Sequence, residues 1–176
     1  MASITDALAQ RLLNGRYIAS LATENPDHTI HMVSVWFLFA GGPAHARTTP
    51  DDDNARIYVA TSTRTRKARN VEANPKVTLM IDSRDVASSC GITIYGAAQM
   101  LTGEASRHWN EQVHRKYLSA AALSDPKVGP VFAAADDITL EITPRSIISW
   151  DMRDYDRQVF GGAFEKNPDY LLPVTP

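Results

Sequence analysis

The sequence predicts a mainly β fold, an antiparallel barrel of six to seven strands that carries a few helices. Short segments rich in β-branched and aromatic residues recur along most of the chain, which is typical of strands. Most neighbouring segments are separated only by short turns, which favours antiparallel pairing. Helical periodicity is confined to two or three stretches. Strands and helices therefore do not alternate regularly, and a doubly wound parallel sheet is disfavoured.

The predicted elements can be placed in order along the chain. Strands are predicted at residues 16–23, 29–42, 56–62, 76–82, 92–101, 137–143 and 146–150, and helices at 4–15, 64–74 and 106–123. Pro144 separates the last two strands, and Gly96 indicates a bulge or a close backbone approach inside the fifth. Residues 41–55 are full of turn formers and predict a loop. Residues 152–176 predict an irregular tail, on the surface or on a partner chain.

Length, charge and cysteine content limit the possible classes of protein. The 176 residues predict a single domain, 1–176, with one sizeable core and the tail at its end. The net charge of −2 provides no field on the scale that nucleic-acid binding needs. Cys90 is the only cysteine, so intrachain disulfides, zinc fingers and iron–sulfur sites are not expected. No signal peptide or membrane-length apolar run is present, so we expect a cytoplasmic protein that does not enter membranes.

One stretch carries an unusual concentration of positive charge. The segment TSTRTRKARN, residues 61–70, places four cations within six residues, between two apolar runs. Arg64, Arg66 and Lys67 fall in the first turn of the predicted helix, and Glu72 falls near its end. A helix N-terminus carries partial positive charge, so acids are usual there and cations are unfavourable. An anion bound at this helix end would make the same arrangement favourable.

The donors around that helix end suit a phosphate group. Free backbone N–H groups, the hydroxyls of Thr61, Ser62 and Thr63, and a guanidinium fork together form a typical phosphate cradle. The alternative is a solvated helix face whose cations stay in water, as most charge runs do. The spacing alone leaves both interpretations open.

At this point the sequence resembles the FMN-binding split-barrel family, the pyridoxamine 5'-phosphate oxidase-like flavoproteins and their deazaflavin-using relatives. Four segments match in order: HMVSVWFLF, IYVATSTRTRKARNVEANPKVTLMI, GITIYGAAQML and ITPRSIISW. The resemblance covers about residues 5–151. Its most specific part is the run from Arg66 to Asn70 followed by Asn74-Pro75-Lys76-Val77.

The resemblance implies a split β-barrel that pairs into a homodimer with two cofactor sites at the interface. The residues expected by position to hold the cofactor phosphate are Thr61, Ser62, Thr63, Arg66 and Lys67. Those expected to line the ring system with strand-edge backbone groups are Val33, Ser34, Val35 and Trp36. Trp150, at the end of the last strand, would close over the cofactor from its own or the other subunit.

The function implied is that of an oxidoreductase that uses bound FMN for hydride transfer to or from a small organic substrate. No side chain is required as acid or base, so no catalytic residue is assigned. The sequence after Trp150 does not match the substrate-binding end of pyridoxamine 5'-phosphate oxidase itself, so that specific activity is not predicted. Two alternatives remain open: a deazaflavin (F-420)-dependent reductase of the same fold, and a non-catalytic flavin or haem binding protein.

Other features of the sequence have simpler explanations. His31 could donate a hydrogen bond to a substrate, but an exposed or core-edge histidine is the more common case. Asp51–Asp53 lack the spacing of a calcium loop and fit a solvated turn better. Trp109, Val113 and Tyr117 recur every four residues and predict a packing stripe on a helix. The five histidines show no metal-ligand spacing, so no metal site is predicted.

Overall fold

The computed structural model describes residues 3–41, 55–83 and 89–172, and in this part of the chain the strands form one curled antiparallel sheet. Its strands are β1 Ala19–Glu24, β2 Ile30–Val35, β3 Leu38–Ala40, β4 Arg56–Thr61, β5 Lys76–Ser83, β6 Cys90–Leu101 and β7 Ile138–Asp151. The sheet order is β2-β1-β5-β6-β7-β4-β3. The predicted split β-barrel, mainly β with a few helices, is therefore confirmed. The predicted loop at 41–55, with Asp51–Asp53, lies largely outside the described residues.

The two ends of the sheet are joined through two residues. β2 and β3 are consecutive in the chain but lie at opposite ends of the strand order, with only Trp36 and Phe37 between them. The three Cα–Cα steps from the end of β2 to the start of β3 span at most about 10 Å, so the sheet must curl until its edges approach each other. The single strand predicted at 29–42 is therefore wrong, because the chain leaves one edge at Trp36 and joins the other after Phe37.

The last strand is continuous where two strands were predicted. β7 passes through Pro144, which lies opposite Gly96, and the register shifts between Tyr95 and Gly96. This bulge accommodates a residue that has no N–H to donate. A Cβ on Gly96 would lie 2.6 Å from the Thr143 carbonyl oxygen, so the close backbone approach predicted at Gly96 is confirmed.

The barrel core consists of the inward-facing side chains of successive strands. Leu21, Leu79, Ile94 and Ile147 lie side by side in register on β1, β5, β6 and β7, and each is buried. Each such side chain stabilises the fold by about 1.5–3 kcal/mol relative to an exposed position. Register is strongly fixed, because a shift by one residue would move every one of these side chains into solvent.

The helices pack around the barrel. They are α1 Ala7–Asn14, α2 Arg66–Ala73, α3 Gly103–Tyr117, α4 Ala120–Ser124, α5 Gly129–Ala135, α6 Met152–Val159 and α7 Ala163–Lys166. On α3, Trp109 stacks on Tyr58 with 3.7 Å between ring centroids, Val113 is fully buried, and the Tyr117 hydroxyl donates to the Tyr17 carbonyl at 2.7 Å. The predicted packing stripe is confirmed. No helix among the described residues is both long and apolar enough to cross a membrane.

Two predictions about the helical segments are wrong. The helix predicted at 106–123 is two helices, because Ser119 is extended and caps α4 by accepting from the Ala122 N–H at 3.2 Å. The tail predicted as irregular contains α6, α7 and a short 3₁₀ turn. Asp156 organises it, since its carboxylate accepts the N–H groups of Phe164 and Glu165 at 3.2 and 3.0 Å. α6 carries apolar residues at helical spacing, Met152, Tyr155 and Val159, a signal in the sequence that the prediction missed.

Candidate functional site

The basic stretch forms the turn between β4 and α2. β4 ends at Thr61, and α2 begins at Arg66 because Thr65 is its N-cap: the Thr65 hydroxyl accepts from the Ala68 N–H at 3.4 Å. The turn before it is closed by the Thr65 N–H donating to the Ser62 carbonyl at 3.0 Å. The first turn of α2 contains Arg66 and Lys67 and no acidic residue. The unfavourable order of charges predicted from the sequence is present for Arg66 and Lys67, whereas Arg64, predicted in the first turn, lies before the N-cap.

The cations of this turn lack carboxylate partners at close range. Among the described residues, no carboxylate forms an ion pair with Arg64, Arg66, Lys67 or Arg69. Arg66 is exposed and lines an open cleft of about 430 Å³. Lys67 is half-buried; burial lowers the pKa of Lys67, and the charge of the more distant Asp136 acts in the opposite direction. In the part of the chain that the structure describes, these four cations therefore form no ion pair.

A buried asparagine fixes α2 to the sheet. Asn70 is almost fully buried, and its amide donates to the Thr23 hydroxyl at 3.0 Å and to the Asn25 side-chain oxygen at 2.9 Å. These contacts join the middle of the helix to the end of β1. The N-terminus of α2 is consequently held at one end of the barrel, beside the turn between β1 and β2.

An aspartate outside the basic stretch binds two of the residues predicted to hold phosphate. Asp137 accepts hydrogen bonds from the Thr63 N–H at 2.8 Å and from the Thr63 hydroxyl at 2.7 Å. These bonds, the hydroxyl first, lower the pKa of Asp137, and a further hydrogen bond from the Ser62 side chain lowers it too. The turn therefore binds an anion, and here that anion is a carboxylate of the same chain. Sequence reasoning missed this residue, because Asp137 is 74 positions from Thr63.

The remaining donors of the turn fit a phosphate group. The first N–H groups of a helix have no intrahelical partner, so those of Arg66 and Lys67 are available together with both side chains. Thr61 is buried, and its hydroxyl lies 3.3 Å from the Thr65 hydroxyl. The structure thus brings Ser62, Arg66 and Lys67 together with Thr63 at one helix end, while Thr61 lies beneath them.

The residues predicted to line a ring system lie on the edge strand β2 and just after it. β2 ends the strand order, so one side of its backbone has no strand partner among the described residues. Val33 and Val35 face the core, and Ser34 is exposed on the outer face. Trp36 is half-buried and stacks with Tyr117 and with Phe132, at centroid distances of 5.0 and 5.7 Å.

Trp150 and the basic turn are associated with opposite ends of β7. It lies on β7 opposite Gly91, against which its indole packs closely, and 37% of its surface is exposed. Thr61 pairs with Ile138 at the other end of β7. Twelve residues separate positions 138 and 150, which corresponds to roughly 40 Å along a strand. Within one chain, Trp150 and the strand position that pairs with Thr61 therefore lie at opposite ends of β7.

The outer face of the sheet carries exposed apolar side chains among serine and threonine residues. Ser34, Ser20, Met80, Thr93 and Ile148 form one cross-strand row, and Met32, Ala22, Thr78, Tyr95 and Ser146 form the next. Met32, Tyr95, Ile148 and Trp150 are exposed on these strands. We call this surface the outer sheet face. Exposed apolar side chains grouped in this way are typical of interaction surfaces.

Lys116 lies beneath the segment that joins β2 to β3. Its ammonium group donates to the Leu13 carbonyl at 3.2 Å and lies 3.9 Å from the centroid of the Phe37 ring. Burial lowers the pKa of Lys116 to about 8. The carbonyl and the ring favour the charged form, but they do not offset the loss of hydration.

This depressed pKa predicts a pH-dependent stability. An ordinary lysine has a pKa near 10.5, so between pH 8 and 10.5 the unfolded chain binds more protons than the folded one. The free energy of unfolding should therefore rise with pH in this window and fall as pH drops toward 8. Burial raises the pKa of Tyr58 to about 12, which opposes the rise above pH 10.

Urea unfolding at pH 8, 9 and 10 measures this effect. The rise should be clearly smaller in Lys116→Met than in the wild type, with the half-buried Lys67 supplying the remainder, whereas Lys127→Met, which removes an exposed lysine, should keep it in full. An identical slope in the wild type and Lys116→Met would show that Lys116 has an ordinary pKa.

Several solved structures of other proteins have a fold similar to that of this chain. A conserved hypothetical protein from Mycobacterium tuberculosis is 22% identical, with 88% of this chain and 91% of that chain covered and a TM-score of 0.62. An F-420 reductase is 19% identical, with 79% and 94% covered and a TM-score of 0.58. HupZ from Group A Streptococcus is 14% identical, with 78% and 87% covered and a TM-score of 0.53. At these identities the similarity shows the fold alone.

The family itself follows from the sequence model that the chain matches. No curated protein matches this sequence. The model described as pyridoxamine 5'-phosphate oxidase matches residues 4–151, most of the chain, including β1 to β7 and the basic turn. The chain therefore belongs to the pyridoxamine 5'-phosphate oxidase family.

Proposed function

We propose that this protein is an oxidoreductase that binds FMN and uses it for hydride transfer to or from a small organic substrate. The observation that carries the proposal is the composition of the first turn of α2. It contains Arg66 and Lys67 beside helix N–H groups that have no intrahelical partner, and it contains no acidic residue. Such a turn is unfavourable without an anion and favourable with one. Its place on a split barrel of the pyridoxamine 5'-phosphate oxidase family makes a flavin phosphate the anion that fits best.

Each part of the site has a distinct role in this proposal. Arg66 and Lys67, with the helix N–H groups, hold the phosphate by charge-assisted hydrogen bonds. The backbone edge from Val33 to Trp36 orients the ring system. When bound, the isoalloxazine supplies the hydride chemistry, so the protein contributes binding, orientation and exclusion of water. No side chain is assigned as a general acid or base.

A homodimer completes the site in this proposal. Trp150 lies roughly 40 Å along β7 from the strand position paired with Thr61, which favours a Trp150 from a second copy as the residue that covers the cofactor. The outer sheet face, with Met32, Tyr95 and Ile148 exposed, is the surface on which the two copies would pair. Burial of such a face is a common source of affinity between identical subunits.

The deazaflavin F-420 is the second candidate cofactor. Arg64 and Arg69 are exposed near the N-terminus of α2. With Arg66 and Lys67 they provide more positive charge than one phosphate requires. The longer anionic tail of F-420 would use this additional charge. The similarity in fold to an F-420 reductase is compatible with this alternative and does not distinguish it from FMN.

Parallel titrations of the purified protein with FMN, riboflavin and F-420, read by fluorescence quenching, test the proposal. We expect FMN to bind much more tightly than riboflavin, because only FMN has the phosphate. Tighter binding of F-420 than FMN would favour the alternative cofactor. A bound cofactor that no electron donor reduces would indicate a non-catalytic binding protein. Binding of none of the three would show that the proposed function is wrong.

A further inference from the structure

The hydrogen bonds of Asp137 fix the central residues of the basic turn. Its two carboxylate oxygens accept from the Thr63 N–H and hydroxyl at 2.8 and 2.7 Å. Thr63 is exposed and has no strand or helix to hold it. An exposed turn residue without such partners keeps its conformational freedom, and ordering it on ligand binding reduces the affinity. Asp137 removes this freedom before any ligand arrives.

Asp137 is itself held by a buried polar network. The Asn110 amide donates to the Asp136 carbonyl at 3.0 Å and to the Ile138 carbonyl at 3.2 Å, so it binds the backbone on both sides of Asp137. Asn110 is almost fully buried on α3. Its side-chain oxygen accepts from the Thr139 hydroxyl at 2.6 Å. The carboxylate of Asp137 therefore extends from a segment whose backbone position is fixed by the core.

These contacts fix the turn at three successive points. Thr61 pairs with Ile138 in the sheet, Thr63 is bound by Asp137, and Thr65 caps α2. The direction in which α2 presents its first N–H groups, and the placement of Arg66, depend on these three points. Thr61 is held by strand pairing and Thr65 by its place as helix cap. Thr63 alone among these three depends on a side chain from elsewhere in the fold, that of Asp137.

We propose that Asp137 is a positioning residue for the phosphate site, acting through Thr63 to hold the basic turn in its binding conformation. The inference rests on the proposed function, because it assumes that the turn binds a phosphate. Asp137 does not contact the ligand in this scheme. Its negative charge slightly opposes phosphate binding, and the order that it imposes on the turn outweighs that effect.

Three variants separate positioning from other roles. In Asp137→Ala the turn loses its anchor, and FMN should bind about 5- to 10-fold more weakly, while riboflavin affinity stays unchanged. In Asp137→Asn the amide oxygen still accepts the Thr63 N–H and the negative charge is gone, so FMN affinity should equal or exceed that of the wild type. Asp125→Ala, which removes a carboxylate that accepts the Lys127 N–H two residues away, should change neither affinity.

The outcomes that overturn the inference are distinct. Tighter or unchanged FMN binding by Asp137→Ala would show that Asp137 competes with the phosphate or does nothing. Equal weakening of FMN and riboflavin, without rescue by Asp137→Asn, would show a general structural role.

A further measurement applies if the wild type binds no flavin-type cofactor, in which case the proposed function fails. Inorganic phosphate is then titrated while the backbone amide signals of Arg66 and Lys67 are followed by NMR. A response in the wild type that is weakened in Asp137→Ala would retain the positioning role. The absence of any difference would overturn it.

Discussion

Replacing both Arg66 and Lys67 by alanine should weaken FMN binding about 100-fold and leave riboflavin binding unchanged. Hydrogen bonds to charged groups contribute about 1.5–3 kcal/mol each, and the lower value applies to this partly exposed turn. Their sum of about 3 kcal/mol corresponds to about a 100-fold change in Kd. Riboflavin has the same ring system without the phosphate, so it reports on the ring pocket alone.

Fluorescence titration of both ligands, with a matched charge control, measures this effect. Arg107→Ala combined with Lys127→Ala removes the same two charges from exposed positions on other elements and should leave both affinities within about 2-fold of the wild type. If the double variant at 66 and 67 binds FMN as the wild type does, the phosphate is held elsewhere. If riboflavin weakens equally, the two residues support the fold and do not contact the phosphate.

Replacing Asn110 by alanine should lower the free energy of unfolding by about 3 kcal/mol. The Asn110 amide donates to two backbone carbonyls, those of Asp136 and Ile138, and its oxygen accepts from Thr139. The variant leaves buried polar groups without partners, and each such group costs about 1–3 kcal/mol. Urea unfolding followed by circular dichroism measures the change.

A surface asparagine provides the control for this variant. Asn14→Ala removes an exposed side chain that bonds only within its own helix, and it should change stability by less than about 0.5 kcal/mol. A similarly small change in Asn110→Ala would mean that the carbonyls of Asp136 and Ile138 find other partners. The segment that carries Asp137 would then not depend on α3.

The sequence was informative wherever local chemistry determines the structure. The charge order of α2 and the close approach at Gly96 both appear in the structure, because a helix end depends on residues within a few positions and a glycine inside a strand is itself the signal of a close approach. The break at Trp36 and Phe37 was missed. Both residues favour strands, and the change from one edge of the sheet to the other is a property of the closed barrel.

In the candidate site, too, contacts between sequence neighbours were predicted and contacts between distant parts of the chain were not. Ser62, Thr63, Arg66 and Lys67 are neighbours in the sequence and lie together at one end of α2. Asp137 could not be associated with them, because a turn in one part of a chain does not reveal which distant carboxylate it meets. The position of Trp150 relative to the turn likewise depends on the length of β7. The sequence predicted two strands separated at Pro144, so this length was not expected.

The central claim is that the N-terminus of α2 binds the phosphate of a flavin-type cofactor. A crystal structure of the protein grown with excess FMN tests it most directly. We expect the phosphate oxygens within hydrogen-bond distance of the Arg66 and Lys67 side chains and of the first N–H groups of α2. Ordered FMN bound elsewhere, or Arg66 and Lys67 directed into solvent with the ligand absent, would contradict the claim.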